Sequence, residues 1–353
     1  MAGSNGSNGS NGSNGARSAA STGRTVAEIV AAQVAAGRSR LAVVDGDRTL
    51  TYAALEARAN ALAHHLRRHG ADRDRTVALV LPPSADLVIA ALATLRSGAA
   101  CVPVDPAVPV EHVAAMLADA RPCAIVTRRG LAARMPRGAW HVVALDRDGA
   151  EIERQPTSPP DAVGRPSDVA YVVYSADSGN RPKGGDITHA SLLNRVIWQH
   201  ATVHVTPGDR APLMSSSGFD AAVWETWPYL TAGASLHVPD DVTCMDPEAL
   251  RDWLVAQDVT IAFVATPMAE RLLALPWPAA RRLRALLTSA DPLRHRPSAG
   301  ASLALGWEPL ADRAQVVHVP RDHPSVVMRH PALIARTVQA NVVGAADAPR
   351  SAA

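Results

Sequence analysis

The sequence is poor in phenylalanine, in cysteine and, above all, in lysine. Its 353 residues include two Phe and three Cys, and Lys183 is the only lysine among 35 basic residues. An odd number of widely spaced cysteines (Cys101, Cys123 and Cys244) does not make a disulfide framework or a zinc site, and it fits buried thiols in a reducing cytoplasm. Because lysine is otherwise missing, Lys183 is a candidate for a site that needs a compact positive charge.

Long apolar runs and an excess of one charge are also missing. No stretch of about 18 apolar residues is present, so we predict no membrane-spanning helix. The formal net charge is only +2, so the sequence does not indicate the basic surface that a nucleic-acid-binding protein has. The first residues have no apolar segment of the kind found in signal peptides. We therefore expect a cytoplasmic protein with neither a nucleic-acid nor a membrane partner.

The composition changes along the chain and predicts three parts. Residues 1–23 carry four Ser-Asn-Gly triplets, which predict a disordered leader of native or engineered origin. Residues 24–300 are rich in apolar residues and read as the folded part. Residues 301–353 are rich in Pro and Arg and read as a divergent tail.

Within the folded part, apolar runs typical of buried strands alternate with helical patterns. This alternation predicts an α/β fold with parallel sheets. A β-hairpin is expected at 41–44 and 48–52, with a turn at Asp45-Gly46. Further strands are predicted at 76–81, 100–104, 123–127, 169–174, 234–238, 260–264 and 285–288. Helices are predicted at 25–36, 52–68, 85–95, 110–120, 189–198, 222–230, 247–257 and 268–275.

Residues 171–189 carry the pattern most indicative of chemistry. A predicted strand enters a loop of small residues, Lys183 follows the loop, and a helix begins after His189. Small residues let several backbone N–H groups converge on an anion, and a lysine beside them adds a point charge. The pattern therefore predicts a phosphate-binding loop, although it is not a Walker loop. The alternative is an ordinary polar loop between a strand and a helix.

This segment resembles the signature loop of the adenylate-forming superfamily, and further motifs agree in order. Three other motifs of that family have counterparts at Leu50-Thr-Tyr-Ala-Ala-Leu-Glu56, at residues 95–106 and at Gly218-Phe-Asp-Ala-Ala-Val-Trp-Glu225. A fourth segment, Thr288-Ser-Ala-Asp291, lies where the family has a Thr-Gly-Gly-Asp-like turn. Over about residues 25–300 the chain most closely resembles the N-terminal part of a nonribosomal peptide synthetase adenylation domain. The resemblance implies a large region of two αβ subdomains, ending before the family's barrel-like subdomain and C-terminal lid.

The resemblance also implies a function. The family uses ATP and Mg²⁺ to activate an amino acid as aminoacyl-AMP and then loads it onto a peptidyl carrier protein. Lys183 matches the loop lysine and is the implied catalytic residue, and no protein metal ligand is expected. The implied ATP-binding residues are Ser175, Asp177, Ser178, Gly179, Asn180, Lys183 and Gly184. Asp177 stands where the family has glycine, and a second negative charge about 4 Å from a phosphate repels it by about 4 kcal/mol.

The Phe219-Asp220 motif implies an amino-acid pocket. Asp220 matches the aspartate that pairs with the substrate ammonium group, although an Asp at this place also caps helices. The remaining implied pocket residues are Ala221, Trp224, Phe263, Leu287 and Ser289. In order, Asp220, Ala221, Trp224, Phe263 and Leu287 are similar to a leucine-type pattern of this family, whereas Ser289 stands where glycine is usual. The resemblance therefore implies a bulky aliphatic substrate. The alternative is that the three large side chains are core residues.

Several later motifs of the family, including its lid lysine, do not occur in this sequence. The resemblance therefore predicts an impaired or inactive adenylating enzyme. The alternative is a non-catalytic remnant that binds an amino acid or nucleotide or docks to a synthetase. An acyl-CoA ligase is disfavoured, because an acid substrate needs no partner such as Asp220. In the tail, residues 306–325 resemble the end of a synthase thioesterase, with His323 as a vestigial triad histidine, but the Gly-x-Ser-x-Gly nucleophile motif is missing.

Overall fold

In the residues that the structure describes, three β-sheets form, with helices packed against them. The computed structural model describes residues 23–161, 164–174, 182–216, 218, 220–278 and 282–289. The predicted leader through residue 22 and the predicted tail, with His323, lie outside the described residues. In the part of the chain that is described, no helix has both the length and the apolar character needed to cross a membrane.

The twelve strands of the described residues are β1 (Leu41–Asp45), β2 (Arg48–Thr51), β3 (Thr76–Val80), β4 (Ala100–Val104), β5 (Ala124–Thr127), β6 (His141–Ala144), β7 (Val169–Tyr174), β8 (Gly184–Thr188), β9 (Arg210–Pro212), β10 (Ser235–Val238), β11 (Ile261–Ala265) and β12 (Ala285–Ser289). The helices there are α1 (Val26–Ala36), α2 (Tyr52–Arg68), α3 (Ala85–Ser97), α4 (Val110–Ala120), α5 (Arg129–Ala132), α6 (Gly149–Glu153), α7 (His189–Val203), α8 (Asp220–Ala232), α9 (Asp241–Met245), α10 (Pro247–Ala256) and α11 (Thr266–Ala274).

The largest sheet has six strands in the order β6-β5-β3-β4-β7-β8. All neighbouring strands from β6 to β7 run parallel, and only β8 is antiparallel, to β7. Apolar clusters lie on both faces: Val77 and Leu79 belong to the main core, whereas Ala78 and Val80 face a smaller cluster with Val113. The prediction of an α/β fold with parallel, doubly buried strands is confirmed.

The other two sheets are smaller. Four strands pair in the order β2-β1-β10-β9, and β11 pairs with β12 in parallel. The predicted hairpin forms from β1 and β2, with Gly46 at a φ of 56°, a left-handed conformation that glycine adopts without strain. The two smaller sheets are linked where the backbone N–H of Thr260 donates to the carbonyl of Arg210 at 2.9 Å.

The helix ends follow from local hydrogen bonding. Thr25 and Glu28 form a capping box at the start of α1, and the Ser84 hydroxyl accepts from the backbone N–H of Leu87 at the start of α3. Helix α3 ends at Gly98, which has a φ of 94°. Helix α2 has the predicted bounds because its apolar residues recur at helical spacing and are buried.

Several elements differ from the predictions. Strand β8 occupies residues predicted as loop, β6 and β9 were not predicted, and α7 continues five residues past its predicted end at Trp198. Cys101 and Cys123 are buried free thiols as predicted, but Cys244 is only partly buried. Strand β8 was not predicted because it forms by pairing with β7 and has no apolar repeat of its own.

Candidate functional site

Strands β7 and β8 flank residues 175–181, which the sequence predicts to be a phosphate-binding loop. Tyr174 at the end of β7 pairs directly with Gly184 at the start of β8. Lys183 immediately precedes β8 and is exposed. The hairpin therefore brings the two ends of the loop together and places the lysine at its exit. The predicted residues Ser175, Asp177, Ser178, Gly179 and Asn180 lie outside the described residues.

One hydrogen bond and one close approach of the two strands define this hairpin. The hydroxyl of Tyr174 donates to Oδ2 of Asp119 at 2.7 Å, which ties β7 to α4. Burial, together with the Asp119 carboxylate, raises the pKa of Tyr174 and keeps its hydroxyl protonated as a donor. A Cβ atom at Gly184 would lie 2.8 Å from Cγ1 of Val172, so a residue with a side chain there would force the Val172 side chain or its surroundings to shift. The predicted role of Gly184 beside phosphate remains a prediction, and the structure assigns it a packing role.

A second part of the site is the segment before α8, where two of the family-like motifs meet. Asp105, from the motif at 95–106, accepts a hydrogen bond from the hydroxyl of Ser216, and its Oδ1 atom accepts from the N–H of Ala107 at 2.7 Å. A Cβ atom at Gly218 would lie 3.2 Å from the backbone nitrogen of Asp105. The glycine of the Gly-Phe-Asp motif thus permits a close approach of the two segments.

Glu225 holds the same segment from the other side. This residue is 1% exposed. Its Oε2 atom accepts from the N–H groups of Met214 and Ser215 at 2.8 and 2.7 Å, and its Oε1 atom accepts from the Ser215 hydroxyl at 2.6 Å. Burial raises the pKa of Glu225 to about 7, against the opposing effect of these hydrogen bonds. Sequence reasoning missed this role, although Glu225 ends the motif that contains Asp220.

The large predicted pocket residues, from α8 and from the middle of β11 and β12, are brought together. The rings of Trp224 and Phe263 lie 5.9 Å apart at 52°. Phe263 and Leu287 are register partners on β11 and β12. Trp224 and Phe263 are buried, and Leu287 is half-buried against the main core. The three side chains form one apolar wall, which is consistent with both a pocket and a core.

The other three predicted pocket residues are placed by their backbone alone. Helix α8 begins at Asp220, so this residue occupies the first turn rather than the cap position of the predicted helix, and Ala221 follows it. Ser289 ends β12, in register with Ala265 of β11. The structure therefore puts Asp220 and Ser289 at ends of elements that also carry the apolar wall.

Arg195 is a residue of this region that the sequence did not indicate. Its guanidinium carbon lies 3.3 Å from the ring centroid of Trp224 and 3.9 Å from that of Trp198. The side chain is buried, and a guanidinium between two indoles gains cation–π attraction on both faces. Arg195 thereby fixes the indole ring of Trp224, which forms part of the apolar wall. In the sequence, this role could have been indicated only by the presence of a basic residue within the apolar pattern of α7.

An ion pair fixes β12, which carries Leu287. Buried Asp209 receives hydrogen bonds from Arg284 at 3.1 and 2.8 Å and from the Thr260 hydroxyl at 2.7 Å. Burial alone would raise the pKa of Asp209, but the bonds from Arg284, Thr260 and Thr206 outweigh it and hold the pKa below its usual value. The contact joins β9, β11 and β12 at one point.

A direct hydrogen bond connects the two halves of the site. The indole N–H of Trp227, on α8, donates to the hydroxyl of Tyr171, on β7, at 2.9 Å, and both groups are buried. Helix α8 begins at Asp220, and β7 leads into the loop that ends near Lys183. The Trp227–Tyr171 bond therefore fixes the helix of the apolar wall against the strand that enters the loop.

The chain is similar in sequence to a known family of enzymes. The model of the family described as AMP-binding enzyme matches residues 30–304. One component of the linear gramicidin synthase of Brevibacillus parabrevis is 42% identical over 277 residues, which cover 78% of this chain and 5% of that protein. Bacitracin synthase 1 of Bacillus licheniformis is 34% identical over 271 residues, which cover 77% of this chain and 5% of that protein.

A solved structure shows the same similarity. The AMPPNP-bound form of a variant of the nonribosomal peptide synthetase FmoA3 superposes with a TM-score of 0.70 at 26% identity, covering 76% of this chain and 29% of that one. This chain therefore spans a small fraction of the length of the relatives that it matches, about a twentieth of the gramicidin and bacitracin synthases.

Proposed function

Because the chain belongs to the AMP-binding enzyme family, we propose that it binds ATP and an amino acid and joins them as an aminoacyl adenylate. The observation that carries the proposal is the Trp227–Tyr171 hydrogen bond. It fixes the helix that begins at Asp220 against the strand that enters the loop at 175–181. An amino acid beside α8 and a triphosphate in the loop would thus be held by connected elements.

Apart from Asp177, the residues proposed to hold ATP suit a phosphate chain. The segment 175–181 is rich in small residues, and its ends are fixed by the pairing of Tyr174 with Gly184. Lys183 is exposed at the end of the loop, so its ammonium group can reach an anion there. When bound, ATP with Mg²⁺ supplies an electrophilic phosphorus atom. The AMPPNP-bound FmoA3 structure, from a similar protein, supports nucleotide use.

The residues proposed to hold the amino acid supply a charge and an apolar wall. The carboxylate of Asp220 would pair with the substrate ammonium group, a charge-assisted contact that is strong where water is excluded. Trp224, Phe263 and Leu287 would contact the side chain, with Ala221 and Ser289 completing the pocket. An apolar wall of this kind favours a bulky aliphatic side chain such as that of leucine. One methylene contributes only about 1–3 kcal/mol, so Leu, Ile and Val are expected to differ modestly.

The proposed reaction is the adenylation of the amino acid's carboxylate. The carboxylate oxygen of the amino acid forms a bond to the α-phosphorus of ATP while the bond to pyrophosphate breaks. Lys183 stabilises the negative charge that develops as pyrophosphate leaves. The carboxylate of Asp177 opposes phosphate binding, so we propose that the reaction is impaired in this chain. We propose that residues 24–300 form the adenylating part and that a peptidyl carrier protein receives the product.

Calorimetry with leucine and ATP·Mg²⁺ on the full chain tests the proposal. We expect saturable leucine binding that Asp220→Asn weakens at least tenfold, because the ammonium group loses its charged partner. Asp252→Asn is the matched control, since Asp252 is an exposed carboxylate on α10. Leucine binding that is unchanged by Asp220→Asn, or that is missing from the folded wild-type chain, would contradict the proposed pocket.

A further inference from the structure

Three histidines from two elements meet at one edge of the six-stranded sheet. His65 lies in the last turn of α2, His69 caps that helix, and His141 is the first residue of edge strand β6. A ligand nitrogen from each of the three rings lies within 4.8 Å of the other two. The rings of His69 and His141 stack in parallel at 3.6 Å, and His65 meets His69 edge-on at 4.8 Å.

The buried member of this cluster has unmet hydrogen-bonding capacity. His65 is 1% exposed, and neither of its ring nitrogens has a hydrogen-bond partner among the described residues. Buried polar groups are nearly always satisfied, so an imidazole in this state needs an explanation. A cation held jointly with the two neighbouring rings would satisfy one of its nitrogens.

The surroundings favour a cation. The Oε1 atom of Glu151 lies 3.8 Å from Nδ1 of His65. The C-terminal end of α2, which carries His65 and His69, bears the partial negative charge of the helix dipole. Arg68 lies 3.9 Å from the same Glu151 oxygen, but its side chain is 62% exposed, so solvent screens its charge.

We propose that His65, His69 and His141 bind a divalent transition-metal ion, for which Zn²⁺ is the best match. Neutral imidazole is a preferred ligand of zinc, and three histidines with a fourth oxygen ligand make a tetrahedral site. Water or the Glu151 carboxylate supplies that oxygen. Zn–N bonds of about 2.0–2.1 Å place tetrahedral ligand nitrogens about 3.3 Å apart. The rings must therefore close by up to about 1.5 Å, which rotation of exposed His141 and half-buried His69 toward His65 provides.

The position of the site indicates a structural role for the ion. Strand β6 forms one edge of the six-stranded sheet, and β8, which Lys183 precedes, forms the other. A metal at the three histidines would join the end of α2 to β6. We expect it to stabilise the sheet edge and to leave the residues proposed for adenylation unchanged.

The test is zinc titration of the full chain after removal of metals by a chelator. We expect one Zn²⁺ per chain by calorimetry. Free zinc at 100 times its Kd should raise the folded-to-unfolded ratio about a hundredfold and so raise Tm. His69→Ala and His141→Ala each leave two imidazoles and should weaken binding at least tenfold. His112→Ala, which removes an exposed histidine on α4, is the matched control and should bind zinc as the wild type does.

Two further measurements keep the test decisive. The His69 and His141 variants are chosen because neither side chain is buried, so both chains should fold, which circular dichroism verifies. Co²⁺ in place of Zn²⁺ should give the visible absorption of a tetrahedral site, and the two variants should lose it. A wild-type chain that binds no zinc, or zinc binding that is equal in the wild type and both variants, would overturn the proposal.

Discussion

The carboxylate of Glu225 accepts hydrogen bonds from both the backbone N–H and the hydroxyl of Ser215, at 2.7 and 2.6 Å. A buried acid on helix α8 thereby fixes the segment that leads into the same helix. Because Asp220 begins that helix, the geometry of the proposed ammonium site depends on this contact. The motif from Gly218 to Glu225 does not indicate this contact, because Ser215 precedes the motif and lies ten positions before Glu225.

Glu225 gives a prediction about pH. Its pKa is raised from 4.5 to about 7 in the folded chain, chiefly by burial, so the folded state binds this proton more tightly than the unfolded state does. Stability should therefore fall as pH rises through the window from 4.5 to 7, by about 3 kcal/mol at most. Glu225→Gln removes the titrating group and keeps an acceptor. We measure the free energy of unfolding in urea from pH 4 to 8, and we expect it to fall less between pH 4.5 and 7 in the variant than in the wild type. If the free energy of unfolding changes with pH in the same way in both chains, Glu225 is not the titrating group.

Arg195 gives a prediction about packing. Its guanidinium lies between Trp224 and Trp198, and a lysine ammonium cannot stack on both rings. We expect Arg195→Lys to lower the free energy of unfolding by about 1–2 kcal/mol and to change tryptophan fluorescence. Arg282→Lys is the control, since Arg282 is 68% exposed and should change stability by less than about 0.5 kcal/mol. Equal effects of the two substitutions would show that the cation–π contacts do not fix Trp224.

Asp209 gives a prediction about the anchoring of β12. Asp209→Asn leaves Arg284 without its buried ionic partner, and we expect a loss of about 2–3 kcal/mol in urea unfolding at pH 7. Asp258→Asn is the control, because Asp258 is exposed, forms long ion pairs with Arg210 and Arg282 and should cost less than about 1 kcal/mol.

The same pair has a defined pH dependence. The pKa of Asp209 is held below its usual value of 3.8, so its stabilising contribution is present above pH 3.8 and is lost as pH falls through the lower folded value. The stability difference between the wild type and Asp209→Asn should therefore shrink in acid. A difference that stays constant to pH 2 would show that the charge of Asp209 is not what anchors β12.

Much of the fold could be predicted from the sequence, because burial imposes a period on it. Helix α2 and strand β4 have the predicted bounds, since each turn of α2 carries buried residues and all five residues of β4 are buried. Strand β8 could not be predicted, because its Gly-Gly-Asp start carries no apolar repeat and it forms only by pairing with β7. The three-histidine cluster is likewise created by tertiary structure, which brings His141 to the end of α2.

The site could be predicted in outline. The order of motifs indicated Lys183, Asp220 and the apolar wall, and the structure places Trp224, Phe263 and Leu287 together. The supporting contacts could not be predicted, because they join residues far apart in sequence, such as Tyr171 with Trp227 and Asp105 with Ser216. The loop residues from Ser175 to Asn180 and the tail residue His323 remain predictions from sequence.

Asp177 gives a prediction about nucleotide affinity. A carboxylate about 4 Å from a phosphate costs about 4 kcal/mol at an effective dielectric constant of 20, which corresponds to about a thousandfold in affinity. Asp177→Gly, and to a lesser degree Asp177→Asn, should therefore tighten ATP·Mg²⁺ binding, by up to that factor, in calorimetry. Asp186→Asn removes an exposed carboxylate from β8 of the same hairpin and is the control, with little change expected. No gain in affinity on loss of the Asp177 charge would refute the repulsion account.

Amino-acid-dependent ATP–pyrophosphate exchange is the direct test of the proposed adenylation, because it follows the bond that adenylation forms and breaks. The measurement compares leucine with the other amino acids in the wild-type chain and in the Asp177→Gly chain. We predict exchange that is stimulated most by leucine or a similar aliphatic amino acid, stronger in Asp177→Gly, and lost when Lys183→Ala or Asp220→Asn is added. A folded Asp177→Gly chain that binds ATP and leucine, yet shows no exchange with any amino acid, would contradict the account.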